Sequence, residues 1–190
     1  MIVVADTTPI ITLMKLNRLD LLEKLFGTVV VPNAVYEELI SNSKYLAEVR
    51  IVVECPFLKR LEVSDRQSIK ILREIVGLDA GESEAIALAE EKNADLLVID
   101  ERKGRRVAKQ MELNITGTIG ILLQAFDCKI LTQEEILSCS EQLRNSRIRV
   151  SNSLFELILD HVNKHAASQS SFLTQQGITR YTFNSKMKSS

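Results

Sequence analysis

Short apolar runs and helically spaced apolar residues alternate along this chain. The run that ends at Ile99 is too short for a helix of its own and too apolar for the edge of a sheet, which indicates a buried parallel strand. Other short runs have the same character. We predict strands at Ile2–Ala5, Thr28–Val31, Leu96–Ile99 and Asn114–Thr116.

The segments between these strands have the pattern of helices. Small apolar residues from Ala85 to Ala89 fit a helix that lies flat on a sheet, because small side chains allow a close approach. The stretch between Ser43 and Ser64 has no clear pattern, and its best candidate strand, Ile51–Val53, is limited by Pro56. Helices are predicted at Ile10–Met14, Leu19–Phe26, Asp65–Val76, Thr132–Leu143 and Ser151–Lys164, and after Pro32, Asp100 and Gly120.

Strands separated by helices are typical of an α/β fold with a mainly parallel sheet. The length of 190 residues fits one domain, which we place at residues 1–165, with extra C-terminal helices from about residue 132. From Ala166 onward Ser, Gln, Thr and Asn predominate. This composition predicts a flexible tail over residues 166–190.

The overall charge excludes one class of function. A formal net charge of −1 rules out a globally basic nucleic-acid binder, so any such binding depends on a local patch. Cys55, Cys128 and Cys139 form no CxxC pair, which indicates reduced thiols of a cytosolic protein. The pattern shows no signal peptide and no membrane span, and we expect a cytoplasmic protein.

Carboxylates are the candidate chemistry. Asp6 and Asp100 each end an apolar strand, so a parallel sheet would bring both to the edge where α/β proteins bind ligands. Glu82 begins the helix before the second of these strands, and Glu37 or Glu38 lies early in another helix. Gathered acids raise one another's pKa unless a cation neutralises them, and oxygen ligands suit Mg²⁺ or Mn²⁺. The alternative is that these acids stand at separate helix starts.

Five stretches, in this order and spacing, resemble the PIN-domain family: MIVVADTTPIITL, VPNAVYEEL, LDAGESEAIALAEE, LLVIDERKGRRVA and ITGTIGILL. The resemblance covers about residues 1–127 and is nearest to prokaryotic PIN proteins related to VapC-type toxins. It implies a three-layer α/β/α fold and a metal-dependent ribonuclease. The acidic positions of the family fall on Asp6, Glu38, Glu82 and Asp100, of which Asp6, Glu82 and Asp100 would hold the metal.

Two of these positions have a competitor nearby. The second acid of the family usually precedes an aliphatic residue, which selects Glu38, before Leu39, over Glu37. The third acid is often aspartate, whereas this chain has Glu82, whose extra methylene would change the spacing to a metal. Glu84 lies two residues further on and therefore on nearly the opposite side of the helix.

Hydroxyl and basic residues near the acids are candidate substrate contacts. Thr8 resembles a hydroxyl beside the first aspartate, and Thr118 matches one found near the pocket, but both also fit helix caps. Arg102 and Arg105 follow the strand that ends at Asp100, and the resemblance favours Arg105 as a salt-sensitive phosphate contact. The alternative for both arginines is a solvated helix face.

The resemblance implies an RNA substrate, a Mg²⁺ or Mn²⁺ cofactor and the toxin role of a toxin–antitoxin pair, with a homodimer and an antitoxin as partners. A non-catalytic module that binds RNA or protein is the alternative, although acidic residues at every matched position favour catalysis. A phospho-aspartate hydrolase would need an aspartate where Thr8 stands. The nucleotide-binding patterns GxGxxG and GxxxxGK(S/T) do not occur in the sequence.

Overall fold

Five parallel strands form the central sheet in the computed structural model, which describes residues 1–41, 46–145 and 152–175. They lie in the order β3-β2-β1-β4-β5, and each neighbouring pair is parallel. Helices flank the sheet, so the predicted α/β class with a parallel sheet is confirmed. The strands are β1 (Val3–Ala5), β2 (Val29–Pro32), β3 (Leu58–Leu61), β4 (Leu96–Val98) and β5 (Ile115–Thr116).

The chain divides into two compact units, Met1–Val150 and Ser151–Ser190. In the second unit the described helix is α10 (Asn152–Gln175). In the first unit a π-helical turn, Ile71–Ile75, directly follows α5. The helices described in the first unit are α1 (Thr7–Lys15), α2 (Asp20–Phe26), α3 (Asn33–Ser41), α4 (Leu46–Val53), α5 (Arg66–Lys70), α6 (Ala80–Glu91), α7 (Arg102–Gln110), α8 (Thr118–Asp127) and α9 (Gln133–Asn145).

The last helix continues into the segment that the sequence assigns to a tail. The α10 backbone is helical to Gln175, whereas the tail is predicted from residue 166. The rest of the predicted tail, residues 176–190, lies outside the described residues. None of the helices in the described ranges combines the length and apolar character that crossing a membrane requires.

The candidate strand Ile51–Val53 is not a strand in the structure, because these residues end helix α4. Val52 is 2% exposed, whereas Ile51 and Val53 on either side are 48% and 58% exposed. Burial of a single residue in three suits one face of a helix. The third strand, β3, lies further along the chain at the edge of the sheet, and only its Leu58 is buried. An edge strand of this kind has no apolar run by which a sequence pattern could reveal it.

The strand order creates a crevice at the ends of the two central strands. From β1 the chain first adds β2 and β3 on one side, and later adds β4 and β5 on the other. Connections that leave in opposite directions open a crevice, and α/β proteins bind ligands there. Asp6 follows β1 directly, and its N–H donates to the carbonyl of Val98 at 3.0 Å. Asp100 lies two residues after the end of β4.

Helix α6 completes this edge of the sheet. Its alanines from Ala85 to Ala89 and the two larger apolar residues among them, Ile86 and Leu88, are buried, as the small-residue pattern predicts. The helix precedes β4, which is parallel to β1. A helix that returns the chain to the start of a parallel strand runs against the strand direction. The N-terminus of α6, which carries Glu82, therefore faces the crevice.

Candidate active site

Asp6 is the most buried acid of the crevice. It follows β1, occupies the N-cap position of α1 and is only 3% exposed. Its backbone is extended (φ −84°, ψ 168°), as a residue between a strand and a helix requires. The fold thus holds a carboxylate at the mouth of the crevice with little access to water.

Glu38 of α3 reaches the same place from another segment of the chain. The hydroxyl of Thr7 donates a hydrogen bond of 2.8 Å to Oε2 of Glu38. A Cβ atom built on Gly81 would lie 3.3 Å from each of three oxygens, namely Asp6 Oδ1, Glu38 Oε2 and Thr7 Oγ1. These three side chains therefore surround the first turn of α6, and the lack of a side chain at Gly81 leaves room for them.

Glu82 enters the crevice from α6 and is held there by backbone N–H groups. It forms a capping box with Asp79, in which Asp79 Oδ1 accepts from the Glu82 N–H at 2.8 Å. In return, Glu82 Oε2 accepts from the Asp79 N–H at 3.3 Å. Its other oxygen, Oε1, accepts from the Gly104 N–H of α7 at 3.1 Å. Glu82 is 4% exposed, so its carboxylate links the starts of two helices inside the protein.

The charges of these acids act on one another. Burial raises the pKa of Asp6 to about 7, against the effect of the hydrogen bond from the Thr7 N–H, and the carboxylates of Asp79, Glu82 and Glu38 add to the rise. Four acids from three segments thus share one electrostatic environment. Such a set is unfavourable when fully ionised, unless a cation is present.

Two acids of this environment, Asp79 and Glu101, were missed by the sequence reasoning. Burial raises the pKa of Glu82, and the nearby carboxylates of Asp79 and Glu101 raise it further, while N–H groups of Asp79 and Gly104 oppose the change. Asp79 could have been found from its spacing, because an acid three residues before a glutamate at a helix start is a capping-box pattern. Glu101 follows Asp100 directly and is the N-cap residue of α7.

Asp100 lies at the predicted edge of the sheet but binds to α8. Its Oδ1 accepts from the Thr118 N–H at 2.8 Å, and its Oδ2 accepts from the Thr118 hydroxyl at 2.5 Å. A Cβ atom on Gly117 would lie 2.5 Å from Asp100 Oδ1, so the glycine permits this approach. The two predicted site residues, Asp100 and Thr118, are thus brought together, and the hydroxyl orients the carboxylate.

The two competing glutamates lie outside the acid cluster. Glu37 forms an ion pair of 2.9 Å with Arg60, whose guanidinium also lies 5.0 Å from the centre of the Tyr36 ring. Glu84 accepts a hydrogen bond of 2.8 Å from the N–H of Ala34 at the start of α3. The geometry therefore favours Glu38 over Glu37, and Glu82 over Glu84.

Two of the predicted substrate contacts, Thr8 and Arg105, have hydrogen-bond partners within the protein, whereas Arg102 is exposed. The hydroxyl that bonds an acid after β1 belongs to Thr7, whereas the carbonyl of Thr8 accepts from the Thr12 hydroxyl at 2.8 Å. Nη1 of Arg105 donates to the carbonyl oxygens of Ile99 and Thr116 at 2.6 and 2.9 Å. Arg105 therefore joins the ends of β4 and β5. Arg102, in contrast, is exposed at the first position of α7.

The donor atoms of the crevice fit a hard divalent cation. Asp6 and Glu38 direct carboxylate oxygens to the space beside Gly81, and Glu82 lies in the next position of the same helix. Oxygen donors of this kind suit Mg²⁺ or Mn²⁺. The raised pKa of Asp6, which is caused in part by three neighbouring carboxylates, indicates an excess of negative charge that a cation would offset.

Comparison with known proteins gives one match. A family model described as a PIN domain matches residues 2–164, which is most of the chain. No curated protein sequence and no solved structure matches.

Proposed function

Because this chain belongs to the PIN-domain family, whose members are in general nucleases, we propose that it is a metal-dependent endoribonuclease that hydrolyses RNA phosphodiester bonds. One observation carries the proposal: carboxylate oxygens of Asp6 and Glu38, from distant segments, meet beside Gly81 in the first turn of α6. The same turn carries Glu82, and the charges of Glu38 and Glu82 both act on Asp6. Scattered helix-start acids would not share an environment in this way.

The resemblance assigns the metal to Asp6, Glu82 and Asp100. In this proposal Asp6 and Glu82 keep that role and Glu38 takes the place of Asp100, because an oxygen of Glu38 lies with one of Asp6 beside Gly81. These three carboxylates would hold Mg²⁺ or Mn²⁺, and Asp100 borders the same crevice. When bound, such a cation supplies Lewis acidity and offsets the charge that develops on the phosphate. Glu38 is the exposed member of the three, and we assign it the role of accepting the proton of the attacking water. As the water oxygen bonds to phosphorus, the bond from phosphorus to the leaving 3′-oxygen breaks on the opposite side, and that oxygen takes a proton from solvent water.

The hydrogen bonds of the crevice give these acids fixed positions before substrate arrives. The Thr7 hydroxyl holds Glu38, and the N–H groups of Asp79 and Gly104 hold Glu82. Fixed donors and acceptors need little rearrangement during the reaction, which lowers its barrier.

The direct test is cleavage of a labelled RNA by the purified protein with Mn²⁺ or Mg²⁺, and with EDTA in a parallel sample. Cleavage should require the metal ion and should be lost in Asp6→Asn, which keeps the shape of the side chain but removes its charge. Metal-independent cleavage, or full activity of Asp6→Asn, would refute the proposal.

A second candidate, a PIN-like module that binds RNA or protein without cutting it, has one observation in its favour. Both oxygens of Glu82 and both oxygens of Asp100 already accept hydrogen bonds from helix starts. These carboxylates could therefore be structural. Calorimetry with Mn²⁺ separates the two functions. If the acids bind the metal, the wild type gives a heat of binding that Glu82→Gln removes. If the acids are only structural, the wild type gives no such heat.

We further propose that this nuclease is the toxin of a toxin–antitoxin pair and forms a homodimer. The support is the sequence resemblance to VapC-type toxins. Expression of the wild-type chain alone should arrest growth of the host cell, whereas expression of Asp6→Asn should not. Growth that continues while the wild-type protein accumulates would count against the toxin role.

A further inference from the structure

A basic groove runs along α7, outside the cluster of acids. It has a volume of about 440 Å³ and is lined by Arg102, Arg105, Arg106, Lys109 and Gln110. Among the described residues its lining contains four cations and no acid. The whole chain, in contrast, has a formal net charge of −1, so this is a local concentration of positive charge.

The sequence of α7 explains why these cations lie side by side. Val107 and Ala108 are buried and attach the helix to the rest of the unit. Arg102, Arg106 and Lys109 are three or four residues apart, so they lie on one exposed face of the helix. None of these three cations forms an ion pair with a residue in the described ranges. Their mutual repulsion is relieved when an anion enters the groove.

The groove starts beside the acids and extends away from them. The first residue of α7 comes two positions after Asp100, and the N–H of Gly104 binds Glu82 at 3.1 Å. From Arg102 to Lys109 a helix rises about 10 Å. This length allows the cations at its two ends to contact different phosphates of one strand.

We propose that this groove binds the sugar–phosphate backbone of the RNA strand next to the bond that is cut. The proposal rests on the proposed ribonuclease function and deepens it by naming the single-stranded segment that the enzyme holds. Arg102, Arg106 and Lys109 contact successive phosphates, and Gln110 supplies a neutral hydrogen-bonding group at the far end. Arg105 forms the inner wall, because its Nη1 is bound to two carbonyl oxygens. Since phosphates are alike in every sequence, these contacts give affinity without base preference.

The test measures binding of a fluorescent single-stranded RNA of about twelve nucleotides in EDTA, where no cleavage occurs. The test variant is the double substitution Arg106→Ala and Lys109→Ala, and the matched control is Lys24→Ala with Arg50→Ala. Both control cations are exposed and lie in other helices, and each is paired with an acid four residues away. All four side chains are exposed, so both doubles should fold, and thermal melting checks this.

The test variant should bind the RNA about tenfold more weakly at low salt. Its slope of log affinity against log salt should decrease by about 1.4, since each contact to a single strand contributes about 0.7. The control should match the wild type. An unchanged slope in the test variant would overturn the proposal, whatever the cleavage assay gives. Conversely, absence of metal-dependent cleavage in the wild type would refute the nuclease and leave this binding result intact.

An acidic protein partner would use the same charges. A glutamate-rich peptide that binds the wild type more tightly than RNA of equal charge, and that loses this binding in the test variant, would assign the groove to a protein and overturn the proposal. Weaker binding of the peptide than of the RNA is the result that we expect.

Discussion

At the scale of single residues, Asp6 shows most clearly that a group required by the proposed function lowers the stability of the protein. Its carboxylate is buried at the end of a strand and is surrounded by the carboxylates of Asp79, Glu82 and Glu38. A protein selected for stability alone would place a neutral side chain there. Because the buried charge lowers the stability of the protein, we infer that the charge serves a function.

Replacing Asp6 by asparagine should stabilise the metal-free protein at alkaline pH. The pKa of Asp6 rises from 3.8 in the unfolded chain to about 7 in the folded protein. Because the folded protein binds this proton more tightly than the unfolded chain, protonated Asp6 contributes to the free energy of unfolding. This contribution is fully present below pH 3.8 and is lost as the pH rises through 7. The loss is at most about 4 kcal/mol. In urea unfolding with EDTA, the free energy of unfolding of Asp6→Asn should exceed that of the wild type at pH 8, and by a smaller amount at pH 5. An equal difference at both pH values would contradict the assigned pKa.

Gly81→Ala should weaken metal binding without unfolding the protein. Alanine favours a helix by about 1 kcal/mol over glycine, but its Cβ would lie 3.3 Å from oxygens of Asp6, Glu38 and Thr7. The oxygens must move apart by a few tenths of an ångström. We expect the affinity for Mn²⁺ to fall about tenfold in calorimetry, as for other changes next to metal ligands. The free energy of unfolding in EDTA should stay within about 1 kcal/mol. An unchanged Mn²⁺ affinity in Gly81→Ala would show that the cation does not bind in the space beside Gly81.

Sequence reasoning reached part of this site and missed the rest. The strand-ending positions of Asp6 and Asp100 are visible in the hydrophobic pattern, and the resemblance selected Glu38 and Glu82. The direction of a side chain is not visible in a pattern. For this reason the resemblance assigns the hydroxyl beside Asp6 to Thr8, whereas in the structure the hydroxyl of Thr7 lies in the cluster with Asp6 and bonds Glu38.

At the scale of secondary-structure elements, helix starts are what gather the acids. The capping box of α6 needs carboxylates at Asp79 and Glu82 for local stability, and the parallel sheet brings that helix start to the crevice. One pair of residues thus serves the helix and the site together. Arg105 does the same for the strands, since it bridges the ends of β4 and β5 beside Asp100.

A comparison of two N-cap aspartates separates the role of capping a helix from the role of adding charge to the site. Asp65 caps α5 by accepting from the N–H groups of Gln67 and Ser68 at 3.0 Å, whereas Asp79 caps α6 beside Asp6. Asp65→Ala and Asp79→Ala should both lower the free energy of unfolding, because each removes an N-cap hydrogen bond. Only Asp79→Ala should also lower the affinity for Mn²⁺. Equal Mn²⁺ affinities in the two variants would show that Asp79 is a cap alone.

Arg105 and Arg106 are neighbours in α7 with different predicted effects. Arg105→Ala removes two hydrogen bonds from a charged group to the carbonyls of Ile99 and Thr116, and should destabilise the protein by about 2 kcal/mol. Arg106 is exposed, so Arg106→Ala should change stability by less than about 0.5 kcal/mol. Thermal or urea unfolding measures both. Equal destabilisation would contradict the structural role of Arg105.

The elements that the sequence could predict are those with a strong apolar signal. The central strands and α6 are buried and were predicted within a few residues. Strand β3 lies at the edge with one buried residue, and its pairing with β2 depends on contacts between segments far apart in the chain. Such a strand is stabilised by its partner more than by its own residues.

At the scale of the whole molecule, topology makes one site from distant residues. Asp6, Glu38, Glu82 and Asp100 are spread over 95 positions of the chain, yet the reversal of strand order beside β1 directs their elements to one edge. The basic groove of α7 begins at the same edge. Negative charge for a cation and positive charge for a polyanion are thus adjacent in a chain that is nearly neutral overall.

The comparison of Glu38→Gln with Glu37→Gln in metal-dependent RNA cleavage tests the central claim most directly. The two residues are adjacent in α3, but Glu38 meets Thr7 beside Gly81, whereas Glu37 pairs with Arg60. We predict that Glu38→Gln lowers the cleavage rate about a hundredfold or more, while Glu37→Gln stays within about twofold of the wild type. Equal rates for the two variants would contradict a nuclease centre built on the gathered acids.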